Sequence, residues 1–198
     1  IKKANSGDKD AKAQVALIDL ALTELEAGRP ARNAKIAPED RRAWRMLQLL
    51  TSKPVLFIAN VEEASAASGN AHSARVAARA AEEGAPAVVI SAQIESEIAL
   101  LDGDERAEYL SAIGLEEPSL NRLIHAGYTL LDLQTYFTVG PKEARAWTVR
   151  RGATAPEAAG EIHTDFERGF IRAETIASED FVNLGGESNG RSPAGFFS

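Results

Sequence analysis

Asn60 and Glu63 stand three residues apart, just past an apolar run, Val55-Leu-Phe-Ile-Ala59. Such a run reads as a buried strand of the parallel type, so the pair would project beyond its C-terminal end. An amide and a carboxylate at that spacing can meet the hydrogen-bonding edge of a purine base. A second apolar run, Ala87-Val-Val-Ile90, leads into Ser91 and Ala92, where a turn can offer backbone N–H groups to the same base. The plainer alternative makes Asn60 an ordinary turn residue of a generic α/β segment. On these residues alone both readings stand.

The residues between the pair decide which base would fit. Guanine-selective sites of the P-loop GTPase type carry Asn-Lys-x-Asp, in which the Asp carboxylate accepts from guanine N1–H and the exocyclic amino group while the Lys stem covers the ring. Here the sequence is Asn60-Val61-Glu62-Glu63. Val61 replaces the covering Lys and the longer Glu63 replaces the Asp. Adenine has an acceptor at N1 and no amino group at C2, so a carboxylate gains nothing from it. The physical basis for guanine preference is gone, and hydrogen-bond readout of this kind can carry large discrimination. ATP becomes at least as plausible a ligand as GTP. The phosphate-holding half is missing: a Gly-x-x-x-x-Gly-Lys-Ser/Thr loop surrounds phosphate with backbone N–H groups and one Lys, and none of the 15 glycines here is followed by Lys.

No other constellation carries catalysis. His163 and Asp165 could pair as a dyad with Ser91 as nucleophile, but no Gly-x-Ser-x-Gly context supports it, and local hydrogen bonding in a loop is the better reading. Glu95 and Glu97 fit an exposed acidic helix face rather than a metal site, and three isolated histidines make none. No catalytic residue and no metal ligand is assigned. Lys142, Arg145, Arg150 and Arg151 make the stretch from Gly140 to Ala153 locally basic, with only Glu143 opposing. A solvated strand end and a contact to RNA phosphate are equally open readings.

At 198 residues, with 44% hydrophobic and 26% charged residues, the chain has room for one or two domains with a real core. A net charge of −7 argues against wholesale nucleic-acid binding. With no cysteine there are no disulfide partners and no thiolate chemistry. The apolar runs are too short to span a bilayer, so no membrane partner is expected, and a cytoplasmic location fits. Because residue 1 is Ile, the expectation is a fragment of a longer chain.

The elements that must position these residues follow from pattern. Asp8 to Ala27 reads as a helix with Asp8 as N-cap and Gly28 as its stop; Val15, Ile18, Leu22 and Leu25 form a seam suited to a helical hairpin. A second helix starts near Pro38, with Trp44, Leu47 and Leu50 on its buried side. After the strand at 55–59 come a helix over 70–83, a strand over 87–90, and helices over 94–101, 104–113 and 118–131. Strands over 134–139 and 145–150 are joined by a turn at Gly140-Pro-Lys-Glu143, a hairpin signal. A helix near 155–162 and a strand over 171–176 complete a small α+β module. Trp147 and Val149 share one strand face, so Trp147 is expected in the core. The residues from Glu187 read as a loose tail.

Longer stretches resemble a known family. Leu49-Leu-Thr-Ser-Lys-Pro-Val-Leu-Phe-Ile-Ala-Asn-Val-Glu-Glu63, Ser91-Ala-Gln-Ile-Glu-Ser-Glu97, Gln134-Thr-Tyr-Phe-Thr-Val-Gly140, Arg145-Ala-Trp-Thr-Val-Arg-Arg-Gly152 and Ile162-His-Thr-Asp-Phe-Glu-Arg-Gly-Phe-Ile171 are similar to the YchF family, the Obg-like ATPases among the translation-factor GTPases. The resemblance spans Lys3 to about Gly186. It implies an α/β fold, part of a P-loop GTPase-type domain with a helical hairpin, followed by a β-grasp TGS module. Residues 1–50 would be the end of the inserted hairpin and a return helix, 51–132 the C-terminal part of the nucleotide domain, 133–186 a truncated TGS domain and 187–198 a non-family tail. Asn60, Val61, Glu63, Ser91 and Ala92 map onto the family's base-contacting turns, with the Val61 backbone against adenine.

The cofactor implied is ATP or GTP with Mg²⁺, whose ligands would lie before Ile1 along with the P-loop. The implied partner is the ribosome, through the TGS module and its basic residues. The implied function is that of a C-terminal portion of a translation-linked NTP hydrolase, inactive by itself. The alternative is a TGS-type interaction module that works without nucleotide. One departure is plain: after Gly185-Gly186 the sequence no longer follows the family, which predicts an incomplete β-grasp.

Overall fold

A computed structural model describes residues 8–140 and 142–184 and the backbone of 196–197. The chain divides into two units, Ile1–Leu130 and Leu131–Ser198.

The first unit opens with α1, Lys9–Glu26, whose start and stop are set by side chain and backbone chemistry. The Asp8 carboxylate accepts from the N–H groups of Asp10 and Ala11 at 3.0 and 3.1 Å, satisfying donors that no helical carbonyl can reach. At the far end Gly28 takes φ +70°. Its N–H reaches the Leu25 carbonyl and that of Arg29 reaches Glu24, the left-handed termination that a residue without Cβ adopts most easily.

The predicted seam does not face this unit's core. Leu17 and Ala21 do, packing with Ala31 and Trp44, while Ile18, Leu22 and Leu25 are exposed at 39–44%. One helix cannot bury both stripes against a single neighbour. The chain turns back through 3-10 turns at Ala31–Asn33 and Pro38–Asp40 into α2, Arg41–Met46. Trp44 is buried there and Leu47 half-buried, as expected, but Leu50 is exposed. Gln48 takes φ 51° and ends the helix before Leu50 can join its face, leaving that residue in a separate 3-10 turn, Leu50–Ser52.

The α/β part follows. β1, Phe57–Asn60, lies parallel to β2, Ala87–Ile90, in the register Phe57↔Ala87 to Asn60↔Ile90. The strand begins two residues later than the apolar run because pairing starts only where β2 stands opposite. Nor is it buried throughout: Ala59 is enclosed while Ile58 is 48% exposed. The helix α3, Ala71–Glu82, connects the strands and packs against both, the crossover that parallel strands require. Beyond β2 come α4, Ala92–Ile98, α5, Gly103–Ala112, and α6, Ser119–Leu130. Ile94 and Ile98 of α4 pack with Ala66 and Leu110 in a second small core. The Arg122 guanidinium of α6 donates to the Val89 carbonyl of β2 at 3.3 Å.

In the second unit β3, Leu133–Val139, pairs antiparallel with β4, Ala144–Arg150. Asp132 takes φ 56° and its carbonyl accepts from Arg151 N–H, closing the open end of the hairpin. α7, Ala155–Ile162, carries a capping box in which Glu157 accepts from Thr154 N–H and Oγ1. It covers one hairpin face: the Tyr136 hydroxyl donates to the Ala158 carbonyl at 2.6 Å, and Val149 is buried.

Two short helices absent from the sequence reading follow, α8, Thr164–Arg168, and α9, Ser178–Asn183. The strand predicted over 171–176 shrinks to β5, Ala173–Glu174, paired with β6, Phe196–Phe197. The tail read as loose therefore places two residues in a ladder, and its remainder lies outside the described residues. No described helix is long and apolar enough to cross a membrane.

Trp44 is the largest side chain in the α1 core. Trp44→Ala is expected to cost about 3–5 kcal/mol locally, and hydrogen exchange should speed up through Lys9–Glu26 while Ala87–Ile90 stays protected. Equal loss of protection in both segments would show that the two cores melt together.

Candidate functional site

The C-terminal ends of β1 and β2 stop level, with Asn60 opposite Ile90, so the turns leaving them emerge side by side. This follows from parallel pairing, which places both exits at the same edge. Two hydrogen bonds brace that edge. Val61 N–H donates to the Ile90 carbonyl at 2.9 Å, and Ala92 N–H donates to Asn60 Oδ1 at 3.0 Å. Asn60 thus links the first turn to the start of α4. The Ala92 donor, expected to face a base edge, is committed to Asn60 instead. Val61 is buried, so only its backbone could meet a ligand, and Glu63 is exposed at the start of a 3-10 turn, Glu63–Ser65. Ser91 is 1% exposed, and its Oγ has no hydrogen-bond partner. A buried hydroxyl without a partner is costly, and this one sits in the turn that the sequence assigned to base contact.

Neighbouring carboxylates hold these turns in shape. Glu62 accepts from the Asn70 amide at 3.1 and 3.3 Å and from the Ser65 hydroxyl. Hydrogen bonds from Ser65, its own backbone and Asn70 hold its carboxyl below the ordinary value. Asn70 in turn caps α3 through the N–H groups of His72 and Ser73. Glu97 accepts from the Tyr109 hydroxyl at 2.7 Å and the Gln93 amide at 2.8 Å, which lowers its pKa. That bond, burial and the charges of Glu97 and Glu63 push the Tyr109 phenol up. Glu95 accepts from Ser119 N–H at 2.6 Å, fastening α6.

Sequence reasoning read Glu95 and Glu97 as a solvated face and gave Glu62 no role. The spacing of Gln93 and Glu97 offered one signal, since the two stand four apart on a helix; the Tyr109, Ser119 and Asn70 partners are tertiary and left none. A cavity of about 310 Å³ lies beside Glu63, lined also by Ile94, Tyr109 and Ile113. It does not include Asn60, Ser91 or Ala92. Among the described residues no cluster of His, Asp and Glu could hold a metal ion.

In the second unit the hairpin separates the four basic residues. Lys142 sits in the turn and Arg145 next to it, while Arg150 and Arg151 lie at the other end, about 17 Å or more away at strand rise. The Arg145 guanidinium stacks over the Trp147 ring at 4.1 Å, a cation–π contact, and Trp147 Nε1 donates to Thr138 Oγ1 at 2.9 Å. Trp147 is half-buried rather than enclosed, its outer surface covered by Arg145. Arg150 and Arg151 line a cavity of about 520 Å³ with Glu157, Glu161 and Glu167. His163 Nδ1 accepts from Asp165 N–H at 3.2 Å, a local cap of α8.

Comparison with known proteins matches both units. The family YchF-GTPase_C, described as a protein of unknown function (DUF933), matches residues 133–196, reaching into the span read above as a tail. The chain is 51% identical over 190 residues to the "Ribosome-binding ATPase YchF" of Escherichia coli O157:H7, covering 96% of this chain and 52% of that protein. It is 47% identical over 187 residues to the protein of the same name from Bacillus subtilis, covering 93% and 51%. The chain is a YchF homologue. The solved "Structure of the Schizosaccharomyces pombe YchF GTPase" superposes with a TM-score of 0.75 at 29% identity, over 91% of this chain and 48% of that one. This YchF homologue therefore spans about half the length of the relatives it matches, aligning with their C-terminal half and carrying their TGS-like C-terminal domain.

Glu62 and Glu97 have lowered pKa values in the folded state, so their contributions are present above the ordinary value of 4.5 and fade as pH falls through the depressed values. The acid limb of stability should be shallower in Glu62→Gln than in the parent, read by urea midpoints between neutral pH and pH about 3. An unchanged limb would mean that the hydrogen bonds Glu62 accepts from Ser65, its own backbone and Asn70 add nothing. Asn60→Ala should cost about 1 kcal/mol and raise the exchange rate of the Ala92 amide; unchanged exchange there would remove Asn60 as a brace.

Proposed function

We propose that this chain is the C-terminal part of a ribosome-associated, nucleotide-binding protein, carrying one half of a purine site and a TGS-like module of the β-grasp type. The observation that supports this reading is the level exit of β1 and β2, from which the turns carrying Asn60, Val61 and Glu63 and carrying Ser91 and Ala92 leave side by side, in a homologue of proteins named as ribosome-binding ATPases. The exposed Glu63 carboxylate supplies a polar group at that edge. A nucleotide base would lie against the turns after the two strands, with Asn60 holding them in register. When bound, the triphosphate and Mg²⁺ supply the hydrolytic chemistry; this chain's residues bind and orient the base.

The names of the relatives differ on the nucleotide, ATPase in the bacterial proteins and GTPase in the yeast one. Base chemistry favours ATP at least equally here, because Val61 cannot cover a ring as a Lys stem does and Glu63 is displaced from the position of the guanine-reading Asp. Phosphoryl transfer rests on a P-loop Lys and Mg²⁺ for positioning and charge. With neither in this sequence, the chain by itself is proposed to be inactive. A cytoplasmic location accompanies the ribosomal role.

The alternative, a TGS-type module acting without nucleotide, draws on the compact second unit and its basic hairpin. In a chain extended upstream by a P-loop half, ATP should bind at least as tightly as GTP in calorimetric titration, and Glu63→Asp with Val61→Lys should move preference toward GTP. A strong GTP preference in the parent would defeat the base argument. The 198-residue chain should release no phosphate above a buffer control; release abolished by Asn60→Ala would refute that. Ribosome co-sedimentation of the chain without nucleotide, unaffected by Asn60→Ala, would favour the alternative.

A further inference from the structure

The first unit holds two hydrophobic cores that share no side chain. One gathers Leu17, Ala21, Ala31 and Trp44 around α1 and α2, the other Ala66, Ile94, Ile98 and Leu110 around α4 and α5. Each closes without the other, so the burial of these residues leaves the angle between the α1–α2 element and the α/β part undetermined. The connector between them passes through Gln48 at φ 51°, the 3-10 turn Leu50–Ser52 and the extended Lys53. Ala31 N–H donates to Thr51 Oγ1 at 3.2 Å and Arg32 Nη1 to the Thr51 carbonyl at 3.5 Å, which fastens the element to this connector rather than to the sheet. Among the described residues one ion pair reaches further: Arg32 Nη2 meets Glu83 Oε2 at the C-terminal end of α3.

Helix chemistry does not account for Glu83. It stands at the C-cap of α3, where the aligned peptide dipoles favour a cation and disfavour a carboxylate. Its pairing with Arg79 at 2.8 Å runs in the weaker order, base before acid four residues apart. The hydrogen bond from Arg32 is the largest of the influences that hold the Glu83 carboxyl below its ordinary value, with burial opposing and the charges of Arg79 and Arg32 adding. Both partners are sheltered, their side chains 20% and 12% exposed, yet Arg32 Nε is buried with no hydrogen-bond partner. Opening the pair would return that donor to water, which offsets part of what the ion pair contributes. We propose that Arg32 and Glu83 form a latch: paired, they hold the α1–α2 element against α3; parted, the element swings as a body about the connector from Leu47 to Lys53. Hinges of this kind are a few residues at element ends that absorb a change in φ and ψ. Both cores stay intact in the swing, because neither includes a residue of the other part. The latch needs neither nucleotide nor ribosome to operate.

The test uses the 198-residue chain, which has no cysteine of its own. Ala13→Cys on α1 and Ala78→Cys on α3, both at exposed positions, carry nitroxide labels for pulsed electron-spin distance measurement. The parent should give one narrow distance distribution. Arg32→Ala and Glu83→Ala should each widen it roughly twofold or more, as a hinge freed of its tie allows. Arg32→Lys should recover most of the narrowness, since it returns the charge without the planar fork. Arg29→Ala breaks an ion pair with Glu24 inside the element and should leave the distribution unchanged. Hydrogen exchange on the same variants separates swinging from unfolding: protection through Lys9–Glu26 and Ala87–Ile90 should match the parent. The same distribution in the parent and in Arg32→Ala, or equal widening in Arg29→Ala, overturns the latch. Widening accompanied by lost protection in Lys9–Glu26 also overturns it, because the pair would then serve the folding of α1 rather than its position.

Discussion

The hydrogen bond from Ala92 N–H to Asn60 Oδ1 holds together what the first unit has to offer chemically. Two parallel strands fix where their exits lie but not how the turns beyond them are oriented. Val61 N–H continues the ladder for one more residue by reaching Ile90. Asn60 then bridges from the end of one strand to the first residue of α4. With α4 pinned, Ile94 and Ile98 are set against Ala66 and Leu110, and Glu95 can reach across to the Ser119 amide that begins α6. A single side-chain amide thus connects the strand ends to the helices behind them. The same amide is the residue that sequence reasoning assigned to a purine. Both roles are compatible, since Oδ1 is engaged while the Nδ2 group is a separate donor.

Local chemistry was legible in this sequence, and tertiary partnership was not. Asp8 and Gly28 bounded α1 because capping and left-handed termination depend on a few adjacent residues. The hairpin and the Ala155–Ile162 helix were readable for the same reason. The stripe on α1 shows where that stops. Val15, Ile18, Leu22 and Leu25 give the regular repeat, yet Leu17 and Ala21 are the residues enclosed by Trp44 and Ala31. Periodicity reports that a face is apolar; it does not report which of two apolar faces the rest of the described chain covers. Gln48, in a left-handed conformation that its residue type does not advertise, likewise removed Leu50 from the α2 face.

The candidate site was legible to the same depth. Asn60, Val61, Glu63, Ser91 and Ala92 are candidates because each follows an apolar run, and parallel pairing brings the two exits to one edge. Glu62 was passed over because Glu63 had a motif to belong to. In the structure Glu62 does the local work, joining Ser65 and Asn70 and thereby the loop to the cap of α3. The burial of Ser91 with no partner for its hydroxyl is likewise invisible in sequence.

The two units solve the problem of an exposed sheet differently, and the difference bears on what each can recognise. In the first, the strand pair is flanked by α3 and α6, and the proposed recognition lies at the strand ends, where backbone groups and short polar side chains can be placed accurately. In the second, α7 covers one face of the hairpin and takes the hydroxyl of Tyr136 onto its own backbone, while Phe137 on the other face stays exposed. Trp147 and Phe137 show how sharply alternation divides them. Trp147 is tied down by Thr138 and roofed by Arg145, so its ring is committed within the protein. Phe137, on the neighbouring strand and facing the opposite way, has only Ala146 across from it. Its ring is left 61% exposed, whereas that of Trp147 is half-buried beneath a cation.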